Sequence, residues 1–332
     1  MDQYAVTVGS LLLITALLFL PSRRNPFVYE DLNVPTMPQQ AHWALPGRAL
    51  SAWSLGLTAR NAERAHEVNL ALHLISGVLV ALVAYRMAGP VAMVGAAAVF
   101  LLHPLNSQAV LYVIGREDVQ MTVCVLVAVV AVLWRGWWSW PAAAGALLMA
   151  AETKEIGLVG VPLVALTVLS VHGMNRWATC AVALIVAVVG VCAYSHAYSL
   201  IMQPAGQGGA AVPWAEFVVR QAGMTWALLW RLVWPVNLSI DHDALALSVG
   251  QLRAAALLTV TALTTCVWAW RRRPILAWSI AWVAISLAPR LLIGSSEFVS
   301  ERQLYLPMVG VSVGLGALVA HPFNPRRVMK GC

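Results

Sequence analysis

HEVNLALHLISGVLVALVAY, residues 66–85, is the stretch whose reading decides the fold. From Val68 to Tyr85 no Asp, Glu, Lys or Arg interrupts it. A run of that length and polarity reads as a helix crossing the hydrocarbon core of a bilayer. Its opening turns are different. His66, Asn69 and His73 recur at i, i+3 and i+7 and so share one helix face. Imidazoles and amides are expensive in hydrocarbon and usually face a cavity or a partner. The stretch therefore predicts both a spanning helix and a polar face at one of its ends.

The rest of the chain repeats the apolar half of this pattern. Further blocks lie at 5–20, 90–103, 119–134, 140–151, 157–171, 178–196, 251–270, 274–292 and 303–320. Of the 332 residues 60% are hydrophobic and 11% charged, where a soluble domain carries roughly 25% charged residues. The expected fold class is an all-α integral membrane protein with about ten transmembrane helices, forming one domain over 1–332. A further segment, 213–235, is helical in pattern but carries Glu216, Arg220 and Arg231 among Trp214, Trp226, Trp230 and Trp234. That mixture predicts a helix lying in the interface plane. The N-terminus lacks a basic leader, and Pro21, Arg23 and Arg24 follow the first block, so that helix is expected to be retained.

Charge placement predicts topology. With the N-terminus in the cytoplasm and ten alternating spans, the cytoplasmic turns hold Arg86, Arg135, Arg176, Arg271, Arg272, Arg273, Arg326, Arg327 and Lys330, against Asp2 as the lone acid. Twelve basic and thirteen acidic residues fall outside. This is the asymmetry of the positive-inside rule. Trp134, Trp137, Trp138, Trp140, Trp177, Trp268 and Trp270 gather at the cytoplasmic boundary, as an aromatic belt should. Arg23 and Arg24, on the outer side, run against the rule. Both termini are expected in the cytoplasm, and the expected location is a bacterial inner (cytoplasmic) membrane. The net charge of +7 reports topology, because the basic residues sit singly or in short runs between apolar blocks; no nucleic-acid partner is expected. The five cysteines include no CxxC pair, and four lie in apolar blocks, so they read as small apolar packers.

The outer side carries the long loops, at 21–67, 104–118, 197–250 and 293–302, and the candidate chemistry lies on them. Phe27-Val28-Tyr29-Glu30-Asp31 sets two adjacent carboxylates just beyond a helix end. They could take a proton from a hydroxyl, hold a metal, or be a solvated loop pair. Arg48 opens Arg48-Ala-Leu-Ser, ahead of His66 and Asn69. His103 begins HPLNSQAV, and Gly115-Arg116-Glu117-Asp118 closes the same loop. Arg116 with Asp118 reads either as a surface pair or as an anion-binding arginine held by carboxylates. Lys154-Glu155 reads as a tight-turn ion pair. Asp241-His242-Asp243 could chelate a divalent cation, though so short a match is unspecific; otherwise no metal site is expected. Glu301, Arg302 and Tyr305 lead into the last helix, where Arg302 would add to the positive helix start and suit a phosphate.

The order and spacing of FVYED, RALS, HEVNLALH, HPLNSQAV with GRED, TKEIG, WPVNLSIDHD and SERQLYLP resemble the transmembrane O-mannosyltransferases that carry tetratricopeptide repeats. These belong to the C-type (GT-C) membrane glycosyltransferases. The resemblance covers about 27 to 310, without the repeats. It implies a GT-C-like fold and a polyprenyl-phosphate-linked sugar, such as mannose, as donor substrate. It implies transfer to a protein or glycan hydroxyl on the outer face. Glu30 and Asp31 would supply the catalytic base. Arg302, Arg116, Lys154 and His103 would face the phosphate, with Arg48, His66, Asn69, Asp118, Glu155, Glu301 and Tyr305 completing the substrate site. Membrane lipid, the lipid-linked donor and the acceptor are the implied partners. The chain departs from the family at Asn106 and Gln108, where the family has His and Glu. That departure motivates an alternative, a non-catalytic subunit bound to another membrane protein. A transporter would need ionisable residues near mid-membrane and often an inverted repeat, and neither is evident in the sequence.

Overall fold

The computed structural model describes residues 2–29, 31–32, 34, 47–134, 136–172, 223–239, 248–292 and 300–320. Among these residues the chain is helix, 3₁₀ turn and connecting turn, without a strand. The helices are α1 Asp2–Phe19, α2 Ala49–Gly56, α3 Ala62–Ala88, α4 Pro90–Leu102, α5 Asn106–Leu111, α6 Arg116–Trp134, α7 Ser139–Thr153, α8 Gly160–His172, α9 Val249–Arg272, α10 Pro274–Leu292 and α11 Tyr305–Ala320. Nine of the ten apolar blocks are helical; block 178–196 lies outside the described residues.

Among the described residues, five helical segments could cross a membrane by length and composition: Asp2–Arg24, Ala62–Ala88, Arg116–Trp134, Val249–Arg272 and Glu301–Ala320. Pro90–Leu102, Glu155–Val171 and Pro274–Pro289 are shorter and apolar. The protein thus carries several helices fit to span a bilayer, which is what its composition requires. Exposed Leu, Val and Ile side chains on α1 and α9 suit hydrocarbon rather than water.

Local chemistry sets the helix ends. The Asn61 side chain accepts the Arg64 N–H at 3.0 Å and caps α3. Gly89, at φ +89°, ends α3, and Pro90 starts α4 with its fixed φ. His103 is extended before Pro104, which stops α4. Ser248 and Gln251 form a capping box at the start of α9.

Helix α6 is the central one, packed by α3, α7 and α8. Small residues let α4, α10 and α11 approach closely. A Cβ on Gly95 would meet the Gly316 Cα at 3.1 Å, and one on Gly310 would meet the Ser279 carbonyl at 2.9 Å. Small-residue contacts of this kind replace the hydrophobic drive that lipid does not supply.

The loop expected over 104–118 is instead ordered structure. It holds α5 and the first turn of α6, with Asn106, Gln108 and Arg116 all buried. The backbone polar groups of a buried segment need partners, and helix is the local way to supply them. Of the interfacial helix expected over 213–235, residues 223–230 are helical and 231–234 form a turn; 213–222 lie outside the described residues. Arg23, the residue at odds with the charge rule, pairs with Glu63 at 3.3 Å and Glu67 at 3.6 Å in the first turns of α3.

Candidate functional site

Six charged side chains from four separate segments meet at one end of the helices. Arg48, just before α2, donates from Nη1 to both oxygens of Glu117 at 3.1 Å and from Nη2 to Glu155 at 2.9 Å. Lys154 Nζ donates to Asp118 Oδ1 at 2.7 Å. Arg302 Nε lies 4.0 Å from Asp118 Oδ2. The pairs form two triads, Glu117–Arg48–Glu155 and Lys154–Asp118–Arg302, and all six side chains are at most slightly exposed. Buried charges persist only when paired in this way.

Two sequence readings are corrected here. Arg116 does not pair with Asp118, because residues two apart on a helix do not face each other. Lys154 and Glu155 do not pair with one another either; each reaches across to α6 or to Arg48. Lys154 ends α7 in an extended conformation, and a 3₁₀ turn begins at Glu155, so the two side chains diverge.

Arg116 belongs to a second polar cluster. Its Nε donates to Asn69 Oδ1 at 2.8 Å. Nη1 donates to the Ser54 carbonyl at 2.6 Å and to Thr58 Oγ1 at 2.9 Å, and Nη2 donates to the Ala65 carbonyl at 2.9 Å. Four of the five guanidinium N–H groups thus have protein acceptors. Asn69 Nδ2 faces the carbonyls of Val110, Tyr112 and Val113 at 3.1–3.4 Å. Asp31 is 0% exposed. Its two oxygens accept the N–H groups of Val113 at 3.0 Å and Ile114 at 2.9 Å. Burial pushes its pKa up to about 6; the N–H donors of Ile114, Val113 and Val28 and the Arg302 charge act the other way. This cluster holds the turn over 110–114 in place, and that turn leads into the charged first turn of α6.

The remaining predicted residues arrange around these two clusters. The Arg302 guanidinium lies 5.5 Å from the centre of the Tyr112 ring. The Arg302 backbone N–H donates to Gln108 Oε1 at 2.7 Å. His103 Nε2 meets the Leu232 carbonyl at 3.1 Å, while Nδ1 accepts the Leu105 N–H at 3.2 Å. The neutral tautomer with the proton on Nε2 satisfies both, and burial lowers the His103 pKa. Glu301 accepts the Ser239 N–H at 3.2 Å and faces Arg231 at 3.8 Å. Tyr305 turns inward, with its hydroxyl 2.8 Å from His73 Nδ1 beside Phe100. His66 is buried on the same helix face as Asn69.

Asp31, His103 and Arg302 therefore share one end of the molecule. Glu30, Asp241 and Asp243 lie outside the described residues. Among the described residues no group of three His, Cys, Asp or Glu converges as a metal site. Sequence reasoning assigned no binding or catalytic role to Glu117, Gln108, Tyr112 or Arg231. Glu117 was legible as the first acid of GRED, Gln108 as a departure from the family pattern and Arg231 as a charge of the 213–235 segment, but their partners are remote in the chain; Tyr112 carried no local signal. Comparisons with known protein families, with curated proteins and with solved structures gave no match.

Proposed function

We propose that this chain is a membrane glycosyltransferase of the C type, moving a sugar such as mannose from a polyprenyl-phosphate donor to a hydroxyl of a protein or glycan. The observation that carries this reading is the cluster of Arg48, Glu117, Asp118, Lys154, Glu155 and Arg302 at the end of apolar helices, with Asp31 beside it. A lipid-phosphate donor has an apolar tail and an anionic head, so its site needs hydrocarbon-facing helices that end in cations. Asp118 draws Lys154 and Arg302 toward one another, where both could meet a phosphate oxygen. In transfer, the acceptor oxygen bonds to the anomeric carbon. The bond from that carbon to the phosphate oxygen breaks, and the lipid phosphate leaves with the electron pair. The hydroxyl proton goes to a first-loop carboxylate, Glu30 or Asp31. Preorganised cations that stabilise the departing charge supply most of the rate in such a scheme.

The proposal includes the finer topology: about ten spans, both termini cytoplasmic, the polar end on the outer face, and a bacterial inner membrane. Arg86 supports it from the opposite end, where it donates to the Leu133 carbonyl at 2.8 Å and lies over Trp134. The test is transfer by protein reconstituted in vesicles with polyprenyl-phosphate mannose and a hydroxyl acceptor. Glu30→Gln and Asp31→Asn should each be measured against folded-protein yield. Loss of transfer in at least one variant that still folds supports the reading. Full activity in both removes the assigned base.

One observation favours a second reading, a non-catalytic subunit in a membrane complex. Both Asp31 oxygens are engaged by backbone N–H groups and shut away from solvent, as in a structural clamp. That reading expects co-purification with another membrane protein and no transfer from any polyprenyl-phosphate sugar.

A further inference from the structure

The turn after the helix over 223–230 projects an apolar surface that the charged site does not use. Trp230 is 63% exposed, Val233 70% and Trp234 61%, and Val236 is also exposed. Four large apolar groups within seven residues, held in water, would forfeit about 25 cal/mol for each Å² left unburied. The turn is nevertheless firmly built. The N–H groups of Val233 and Trp234 both donate to the Trp230 carbonyl at 3.0 Å, and Val236 N–H donates to the Trp234 carbonyl at 2.9 Å. Asn237 sits at φ +54°, a left-handed conformation that Asn tolerates, and redirects the chain.

The turn is tied to the polar end from both sides. His103 holds the Leu232 carbonyl at 3.1 Å, Arg231 faces Glu301 at 3.8 Å, and Ser239 N–H reaches the same carboxylate at 3.2 Å. The inner face of the preceding helix is buried, with Met224 and Leu228 packed by Leu105, Leu287 and Leu304. Trp226 donates from its indole to Thr259 Oγ1 on α9 at 2.8 Å. Residues beside Thr259 on α9, Leu257, Leu258, Val260 and Leu263, are exposed apolar groups on a helix fit to span a bilayer. Trp226 thus sets the helix that leads into the turn against α9, whose exposed Leu and Val side chains suit hydrocarbon.

We propose that the turn over 230–236 is a docking surface for phospholipid in the leaflet at the polar end, with Trp230 and Trp234 seated at headgroup depth. Tryptophan is the side chain of choice there, since its ring is apolar and its N–H is wet. Seating the turn in lipid holds Leu232 against His103 and Arg231 against Glu301, so the membrane surface braces the segment ahead of α11. This proposal rests on the membrane reading alone and does not depend on sugar transfer.

The test places the photoreactive residue benzoylphenylalanine at Trp230 or at Trp234 in the full chain, reconstituted in phosphatidylcholine nanodiscs. After irradiation, adducts are identified by mass. Phosphatidylcholine adducts at both positions support the proposal. Adducts to a second copy of the chain, or none at either position, overturn it. In a second measurement, lipids brominated near the headgroup quench tryptophan fluorescence of the unlabelled protein. Trp230→Ala with Trp234→Ala should lower the quenched fraction in folded protein, whereas unchanged quenching overturns the proposal. Trp230→Tyr, which keeps an amphipathic ring, should retain binding if the alanine variant folds poorly.

Discussion

Two polar clusters lie side by side at one end of this protein, and they solve the problem of burial differently. In one, Asp31, Asn69 and Arg116 spend their hydrogen bonds mainly on backbone amides and carbonyls of the chain around them. In the other, Arg48, Glu117, Asp118, Lys154, Glu155 and Arg302 pair with each other. A side chain bonded to backbone has one geometry and fixes a turn. Ion pairs among side chains can be exchanged for a bound anion with the backbone left in place. Asn69 and Arg116 therefore read as scaffold and the second cluster as site, with Asp31, a candidate base, at their border; the two clusters join where the turn over 110–114 leads into α6.

The sharpest way to break this comparison is Arg116→Met. It strands a buried Asn69 oxygen and two carbonyls, and the loss of such partners should cost on the order of 4 kcal/mol. Thermal unfolding in detergent would show it as a large fall in Tm; an unchanged Tm would mean Arg116 is not scaffold. Next in size is Arg302→Gln, where the proposed phosphate contact goes and the backbone bond to Gln108 stays. Transfer should drop by about 100-fold or more, as for a lost transition-state donor, while Tm moves little. Equal effects on folding from Arg116→Met and Arg302→Gln would erase the distinction.

Asp31 gives a smaller, pH-dependent effect. Its folded pKa, about 6, lies above the ordinary value of 3.8. Its contribution to stability is then full below pH 3.8 and is lost as pH rises through about 6. Unfolding curves from pH 4 to 7 should show wild type losing ground to Asp31→Asn across that window. If Asp31 is the base, transfer by wild type should rise over the same window as the carboxylate ionises. The smallest effect is expected from Gln108→Glu. An oxygen acceptor for the Arg302 N–H is retained, so Tm and donor KM should stay close to wild type, whereas Gln108→Leu should raise KM.

The segment over 66–85 shows how far the sequence carries. Its apolar run was enough to predict α3, because hydrocarbon forces every backbone group to bond within the segment and leaves helix as the local answer. Asn69 was legible as polar and inward-facing, yet nothing nearby in sequence named the carbonyls of 110–113 as its partners. GRED was legible as a charged cluster, and its pairing was misread. A helix turns 100° per residue, so Arg116 and Asp118 point apart and each finds its partner on another segment.

What the sequence determined by itself is the apolar, helical character of the chain: too little charge to face water, and apolar runs long enough to make helix the economical backbone. Partner choice was left to tertiary structure. Lys154 meets Asp118, and Arg48 meets Glu117 and Glu155, across separations from 36 to 107 residues. Such pairings depend on the phase and depth at which packed helices meet, and packing of small residues such as Gly95 against Gly316 fixes depth only once both helices are in place.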